Sequence, residues 1–583
     1  MNPYWSLDDL YTSFDSEQFK NDFAAFEVAI ADMKKWSAEN LTNADGALEK
    51  IEKYICMKQD MAKYYTLGSY ASLVLSVDAM NERARKVTDV LDDIFTELSE
   101  PSVLFYSFIG KLEALDELIE QSELLSEHAF MLKTIKNHYK YQLSDKEEVL
   151  FAKLQNTGSG AWESLFDQLT STLTVDIGEE CVPLSLARDM ARSRDPVARK
   201  NAYEAELKAY DKIDKSLSFA LNSIKGEVLT ACKLRGYESP LSMTLIHSHM
   251  DQETLDAMFS ALRDSLPAFL KYFKKKALLL GHEDGLPFYD LFAPMGEVNM
   301  KFSYDEAADF VIQNFYGFSQ KLGDFAKCAF EKNWIDAEPR EGKVGGAFCH
   351  PLHAIKQSRV LCNFTGSFSN VVTIAHELGH AYHSHCLNDM SSLNTRYPMQ
   401  LAETASNFCE IILSAAAIEC ATPEERFVIY EQSISDAAQV TVDIYSRFLF
   451  ESRVFENRVN GGLSVEELKR FMLDAQKEAY GDGLNHEFLH PYMWACKPHY
   501  YTASNNFYNF PYAYGMLFAR GLYAEYLRDK PTFVEKYDRI LQATGCNNLY
   551  DVGLTAGIDV HDKAFWKSSF EIVEREIEKW VCD

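Results

Sequence analysis

The chain lacks most features that would assign it to a class at once. Across 583 residues there is no Gly/Ser-rich or Pro-rich linker, no low-complexity tract, no block of like charge and no internal repeat, which excludes solenoids, propellers and loosely tethered modules. Positive charge is scarce: 58 Lys and Arg stand against 87 Asp and Glu, a net charge of −29, so the basic patches that nucleic acid and anionic membranes require are not expected. The twelve cysteines form no C-x-x-C pair and keep no regular spacing, which argues against a disulfide framework or a structural zinc site. The opening Met1-Asn2-Pro3-Tyr4-Trp5-Ser6-Leu7 has neither the basic nor the apolar segment of a signal peptide, and no eighteen-residue apolar run reads as a bilayer span. The expectation is a reduced, cytoplasmic protein that meets neither nucleic acid nor membrane, its oligomeric state left open.

Strand signals are also few. Apolar residues recur at three- and four-residue spacing over 14–64, 75–98, 141–156 and 196–232, the pattern of amphipathic helices. Thr422-Pro423-Glu424-Glu425 reads as a capped helix start with proline in the first turn. The clearest strand-like runs are 343–349 and 358–365. A mainly α protein is expected, with a small β-sheet beside the helix that follows those runs. Gly178 and Pro183 punctuate the pattern before Leu184-Ser185-Leu186 restarts a helix, which suggests an N-terminal helical domain over 1–185 and a second domain over 186–583.

That following helix carries the most informative residues, His376-Glu377-Leu378-Gly379-His380. Histidines four apart lie one turn up the same helical face and can both reach one ion, while the intervening glutamate points about 100° away, where it serves as a base without ligating. A chain of this composition would yield on the order of 0.03 such strings by chance. Ser369 or Asn370 is expected to cap the helix and Asn388 to end it. A catalytic zinc needs a third protein ligand and one open position. The metzincin arrangement would need Gly and His where the chain has His383 and Cys386, so that class is excluded. Pro398 can open a new helix in which Glu403 and Glu410 lie two turns apart on one face. Glu403, with twenty-two residues between it and His380, is assigned as third ligand. Glu410 either accepts the outer N–H of a ligating histidine or is an ordinary surface glutamate. His383 and His385 read as hydrogen-bonded core or surface residues.

Two further stretches stand out. Gly345-Gly346-Ala347-Phe348-Cys349 is either a plain turn or an exposed edge strand able to pair with an extended peptide. The 492–525 region is dense in aromatics, including Tyr492, Trp494, Tyr500, Tyr501, Phe507 and Tyr514. It is either a tyrosine-rich core or a source of donors to a developing oxyanion.

Taken together the residues resemble the oligoendopeptidase F group of the thimet oligopeptidase family of zinc metallopeptidases. The likeness runs through Leu67-Gly68-Ser69-Tyr70, Arg235-Gly236-Tyr237-Glu238-Ser239, Gly345 to Cys349, Val360 to Gly366, Thr373 to Ala381, Leu401-Ala402-Glu403-Thr404, Pro498-His499-Tyr500-Tyr501 and Phe507 to Gly515, so it covers essentially the whole chain. The resemblance implies a two-lobed helical enzyme with a deep channel that cuts short unfolded peptides internally. It also implies one zinc per chain on His376, His380 and Glu403, Glu377 as general base, and His499, Tyr508 and Tyr512 on the substrate or transition state. Tyr514 or Tyr501 could fill the role given to Tyr512 or Tyr508. Competing readings are a peptidase trimming chain ends and a peptide-binding scaffold without catalysis.

Overall fold

The structure is a computed structural model that describes residues 1–298 and 300–582. Helix dominates, as the periodicity predicts, and the long helical stretches divide where the backbone must turn. The 14–64 stretch becomes Glu17–Asn40 and Ala47–Met61, separated by a turn that ends on Gly46 at φ +62°, a conformation that costs glycine little. The 196–232 stretch becomes Pro196–Tyr210 and Asp214–Arg235.

Among the described residues the strands form two small sheets. The first is a hairpin of β1 (Thr174–Ile177) and β2 (Glu180–Pro183) turning at Gly178, φ +64°. The second has three strands, β3 (Ile335–Asp336), β4 (Phe348–Leu352) and β5 (Gln357–Leu361), in the order β3-β5-β4. β3 runs parallel to β5 and β4 antiparallel to it, with Cys349 opposite Val360. The 358–365 run is a strand only as far as Leu361, and the 343–349 run is displaced, since β4 shares only Phe348 and Cys349 with it and continues to Leu352. Residues 343–347 are irregular: Gly346 sits at φ +79°, and the Asn363 amide donates to the Val344 and Gly346 carbonyls at 3.1 and 3.0 Å, tying the bend down.

The chain folds into two compact units, each assembled from three separated segments. The first holds Met1–Tyr141, Asn299–Glu419 and Glu525–Gly557; the second holds Gln142–Val298, Cys420–Ala524 and Ile558–Asp583. The boundary expected at 185/186 lies inside the second unit, because the glycine and proline that mark it belong to the β1–β2 hairpin, and β1 packs on the Pro196–Tyr210 helix.

In the first unit the N-terminal helices bury Phe26, Ile30, Met33, Ile51, Leu67 and Leu91 in a core that reaches Leu352 of β4. β4 and β5 in turn pack on the Phe368–Cys386 helix, so the small sheet does lie beside the His-Glu-x-x-His segment. The same helix is braced from its far end: Tyr382 donates to Asp538 at 2.6 Å and His383 Nε2 meets Thr544 Oγ1 at 2.9 Å. In the second unit the long Gln252–Leu279 helix packs on Lys563–Cys582. Pro423–Ala438 runs through a π-helical turn, Gln439–Asp443, into Ile444–Arg458.

One described helical stretch, Met399–Cys420, is long and apolar enough to cross a bilayer, which the sequence reading did not anticipate. Half of its most apolar window is buried within the protein, where Leu401, Ala405, Phe408, Cys409, Ile412 and Leu413 form core contacts. Its apolarity is that of an interior helix.

Candidate functional site

The Phe368–Cys386 helix starts earlier than its sequence suggests. Ser367 is the N-cap, accepting from the Asn370 N–H at 3.3 Å, while Asn370 Oδ1 accepts in return from the Ser367 and Thr365 N–H groups. Asn370 is therefore the reciprocal partner of the cap rather than the cap itself, a capping box that satisfies donors otherwise left free at a helix start. Ser369 is the second residue of the helix, within its first turn. At the other end the helix stops at Cys386, and Asn388 donates to the Lys356 carbonyl instead of closing the helix. Val371, Ile374, Ala375, Leu378, Ala381 and Tyr382 bury one face.

Gly379 sets how closely the next helix can approach. A β-carbon there would stand 2.5 Å from the Ala405 carbonyl oxygen and 2.6 Å from Ser406 Cα, so only glycine admits this backbone-to-backbone contact. Pro398 precedes a short helix, Met399–Ala402; Glu403 interrupts it, and Thr404–Cys420 continues. The predicted single helix is thus broken at Glu403, whose carboxylate is held by Ser406 Oγ donating at 2.8 Å.

The result is a tight cluster of ligand atoms. His376 Nε2 lies 3.2 Å from His380 Nε2 and 3.3 Å from Glu403 Oε2, and His380 Nε2 lies 3.5 Å from the same oxygen. Ligands bound tetrahedrally to zinc at about 2.0–2.1 Å stand about 3.3–3.4 Å apart, so the three atoms fit one ion. Protonation agrees. His376 Nδ1 donates to Glu410 Oε1 at 2.7 Å, and His380 donates to the Ala402 carbonyl. With those bonds made by the other ring nitrogens, both Nε2 atoms face the Glu403 oxygen, the arrangement that a shared cation would require. Glu410 thus makes the contact that the orienting alternative requires. Ser406, Gly379 and the Ala402 carbonyl were not anticipated; the only sequence signal for Ser406 is its i+3 spacing from Glu403.

Burial tunes the charges. Burial alone would lower His376, but the hydrogen bond to Glu410 and the charges of Glu410, Glu403 and Glu377 carry it above its ordinary value. Burial holds His380 down at about 4. Glu377 is only 6% exposed, and desolvation, aided by the Glu403 and Glu410 charges and opposed by His376, pushes it up to about 7. A carboxyl near neutrality both accepts and returns a proton. Cys362, nearby, is pushed up to about 12 chiefly by burial and remains a thiol.

His383 and His385 have other partners, Thr544 for the first and Asn388 for the second. Gly345 and Gly346 are exposed and Ala347 half-buried. They form a bend rather than a strand, and β4, beginning at Phe348, is one of the two edge strands in the order β3-β5-β4.

The aromatic residues lie in the second unit and cluster among themselves. The His499 ring stacks on Tyr508 with centroids 4.8 Å apart, and the Tyr512 hydroxyl donates to Tyr508 at 3.1 Å. All three are half-buried, whereas Tyr501 and Tyr514 are fully buried, against Phe166 and Trp566 respectively. The alternatives to Tyr508 and Tyr512 are core residues. Burial lowers His499, with the Arg447 and Lys497 charges acting in the same direction, so its ring is neutral.

Comparison with known proteins decides the family. The model of peptidase family M3 matches residues 189–572, and that of the oligopeptidase F N-terminal segment matches 111–174. The chain belongs to peptidase family M3. Residues 175–188 lie between the two matched segments. Oligopeptidase PepF of Bacillus subtilis is 22% identical over 99% of this chain and 86% of its own. The oligoendopeptidase F homolog of Lactococcus lactis subsp. lactis is 25% identical over 93% of this chain and 91% of its own. A solved structure from Chlamydophila abortus superposes with a TM-score of 0.86 at 20% identity, covering 100% and 98% of the two chains. The M3 chain is thus a peptidase by family, with the mainly helical fold of its relatives.

Proposed function

We propose that this M3 peptidase is a zinc-dependent endopeptidase that hydrolyses internal bonds of short, unfolded oligopeptides. The observation that carries the proposal is the convergence of His376 Nε2, His380 Nε2 and Glu403 Oε2 within 3.2–3.5 Å, with Glu410 behind His376. Zinc held there, one per chain, would lower the pKa of a coordinated water to about 7 and polarise the scissile carbonyl. Glu377, buried one residue from His376, would take the proton of the attacking water and deliver it to the leaving amine. His499, Tyr508 and Tyr512 are assigned to the substrate: a phenol O–H or an imidazole N–H aimed at the developing oxyanion is worth about 3 kcal/mol in a dry site. Main-chain pairing along the open edge of β4, entered past Gly345, Gly346 and Ala347, would hold a peptide with little regard to its side chains. Free thiols at all twelve cysteines support placement in the reducing cytoplasm.

The test is metal content together with cleavage of a short, doubly blocked, internally quenched peptide, before and after a chelator and after zinc is restored. About one zinc per chain and chelator-sensitive internal cleavage are expected. Metal without internal cleavage would make the protein an end-trimming peptidase or a scaffold; no metal would sink the proposal. Glu377→Gln should keep the zinc and lower kcat by about 10²–10⁴-fold.

A further inference from the structure

Tyr508 sits in an unusual stretch of backbone. Its neighbours Asn506, Phe507, Asn509, Phe510 and Pro511 are all buried, while Tyr508 itself is half-exposed. Phe507, just before it, adopts φ +53°, a left-handed conformation that bulky L residues avoid and that persists only where the surroundings enforce it.

The enforcing groups are charged and buried. Glu451, 2% exposed, accepts the Phe507 N–H at 3.0 Å through Oε2 and the Lys225 ammonium at 2.6 Å through Oε1. Lys225, 1% exposed, also donates to Asn506 Oδ1 at 2.9 Å. One turn earlier on the same Ile444–Arg458 helix, Arg447 donates to Asn509 Oδ1 at 3.1 Å and is paired with Asp443 in the π-helical turn. Arg447 and Glu451, four residues apart, therefore grip the chain on the two sides of Tyr508. The Phe507 ring packs on Phe448 and Phe455 of that helix. A plain core would need no charges here, since a buried ion pair is generally no more stabilising than apolar packing of the same volume. What such a pair supplies is a fixed geometry.

We propose that the Lys225–Glu451 pair and Arg447 are positioning residues that force the left-handed turn at Phe507 and so fix the Tyr508 ring on His499. The functional meaning rests on the assignment of Tyr508 to the substrate made above; the positioning itself does not.

The experiment therefore carries two readouts. The first is the ¹⁹F spectrum of the full chain with 3-fluorotyrosine at position 508, which reports ring placement without catalysis. The second is kcat and KM for the quenched peptide in a double-mutant cycle with Tyr508→Phe. The test variant is Lys225→Met/Glu451→Gln, which removes both charges together and keeps an amide oxygen for the Phe507 N–H. Expected are a shifted or broadened fluorine line, a loss in kcat of about ten-fold or more with KM little changed, and no further loss when Tyr508 is already Phe. An unmoved line, or an equal loss in both backgrounds, would overturn the proposal and leave the pair a purely structural element. If the wild-type enzyme cleaves nothing, the functional assignment fails while the fluorine readout still decides the positioning. Should the double variant not melt cooperatively, Asn506→Ala, which leaves the ion pair intact, is read by the same line: a shift supports the proposal and an unmoved line overturns it.

Discussion

Around His376 the proposed ligands are distinct from the residues proposed to aim them. Glu410 is of the second kind, through one 2.7 Å bond, so its removal should weaken zinc without altering the ligand set. Glu410→Ala is expected to reduce zinc affinity by about 10–100-fold, measured by competition with a chromophoric chelator; an unchanged affinity would make Glu410 a bystander. The two histidines proposed as ligands were legible because their spacing is local: His376 and His380, four residues apart on one helical face, need no tertiary information. Glu403 was legible as a carboxylate near a helix start, but not as the point where the helix breaks, because that break depends on the Ser406 bond and on contact with a neighbouring helix. The tyrosines were harder still. Tyr501, Tyr508, Tyr512 and Tyr514 are chemically alike, and only their burial, which the folded chain alone decides, separates the half-exposed pair from the core pair.

At the scale of single elements, what fixes the site is how closely two helices approach. Gly379→Ala would drive a methyl group into the Ala405–Ser406 backbone, which has no flexible end to yield. The expected cost is about 1–3 kcal/mol with a clear loss of zinc affinity, measured by a denaturant melt and a zinc titration; a variant as stable and as tight-binding as the parent would refute the close-contact argument. Helix starts offer a pH-dependent counterpart. Asp251 caps the Gln252–Leu279 helix, accepting from the Thr254 N–H at 2.8 Å. Burial pushes its carboxyl up, but the hydrogen bonds from Thr254 and His561 outweigh this and hold it below the usual range. A depressed folded value means the stabilisation is present above the unfolded pKa of about 3.9 and is lost as pH falls through the folded value. Asp251→Ala should cost about 1 kcal/mol at pH 6–7 and progressively less towards pH 3, while Asp251→Asn keeps the cap and loses the titration; a cost independent of pH would contradict this. The element types were readable from periodicity, yet the Ser367 cap was missed because Asn370 looks like a cap when its reciprocal role is unseen.

For the whole molecule, all three candidate ligands and Glu410 belong to one compact unit. Zinc should therefore stabilise that unit alone, by RT ln(1 + [Zn]/Kd), about 4 kcal/mol at a thousand times Kd. Calorimetry of the apo and zinc-loaded chain is expected to show one transition moving upward and another staying put; transitions that move together would mean the units unfold as one. The two-unit organisation was only partly legible, since glycine and proline mark where elements turn, whereas a unit is defined by contacts between segments hundreds of residues apart.

That interleaving also bears on synthesis. The Phe368–Cys386 helix leans on Asp538 and Thr544, and the first unit is complete only with its Glu525–Gly557 segment. Chains are made from the N-terminus at about 5–20 residues per second. For many seconds after His376, Glu377 and His380 leave the ribosome, the nascent chain holds these residues but not the segment their helix leans on. A unit built this way can close only after its third segment, Glu525–Gly557, has been made.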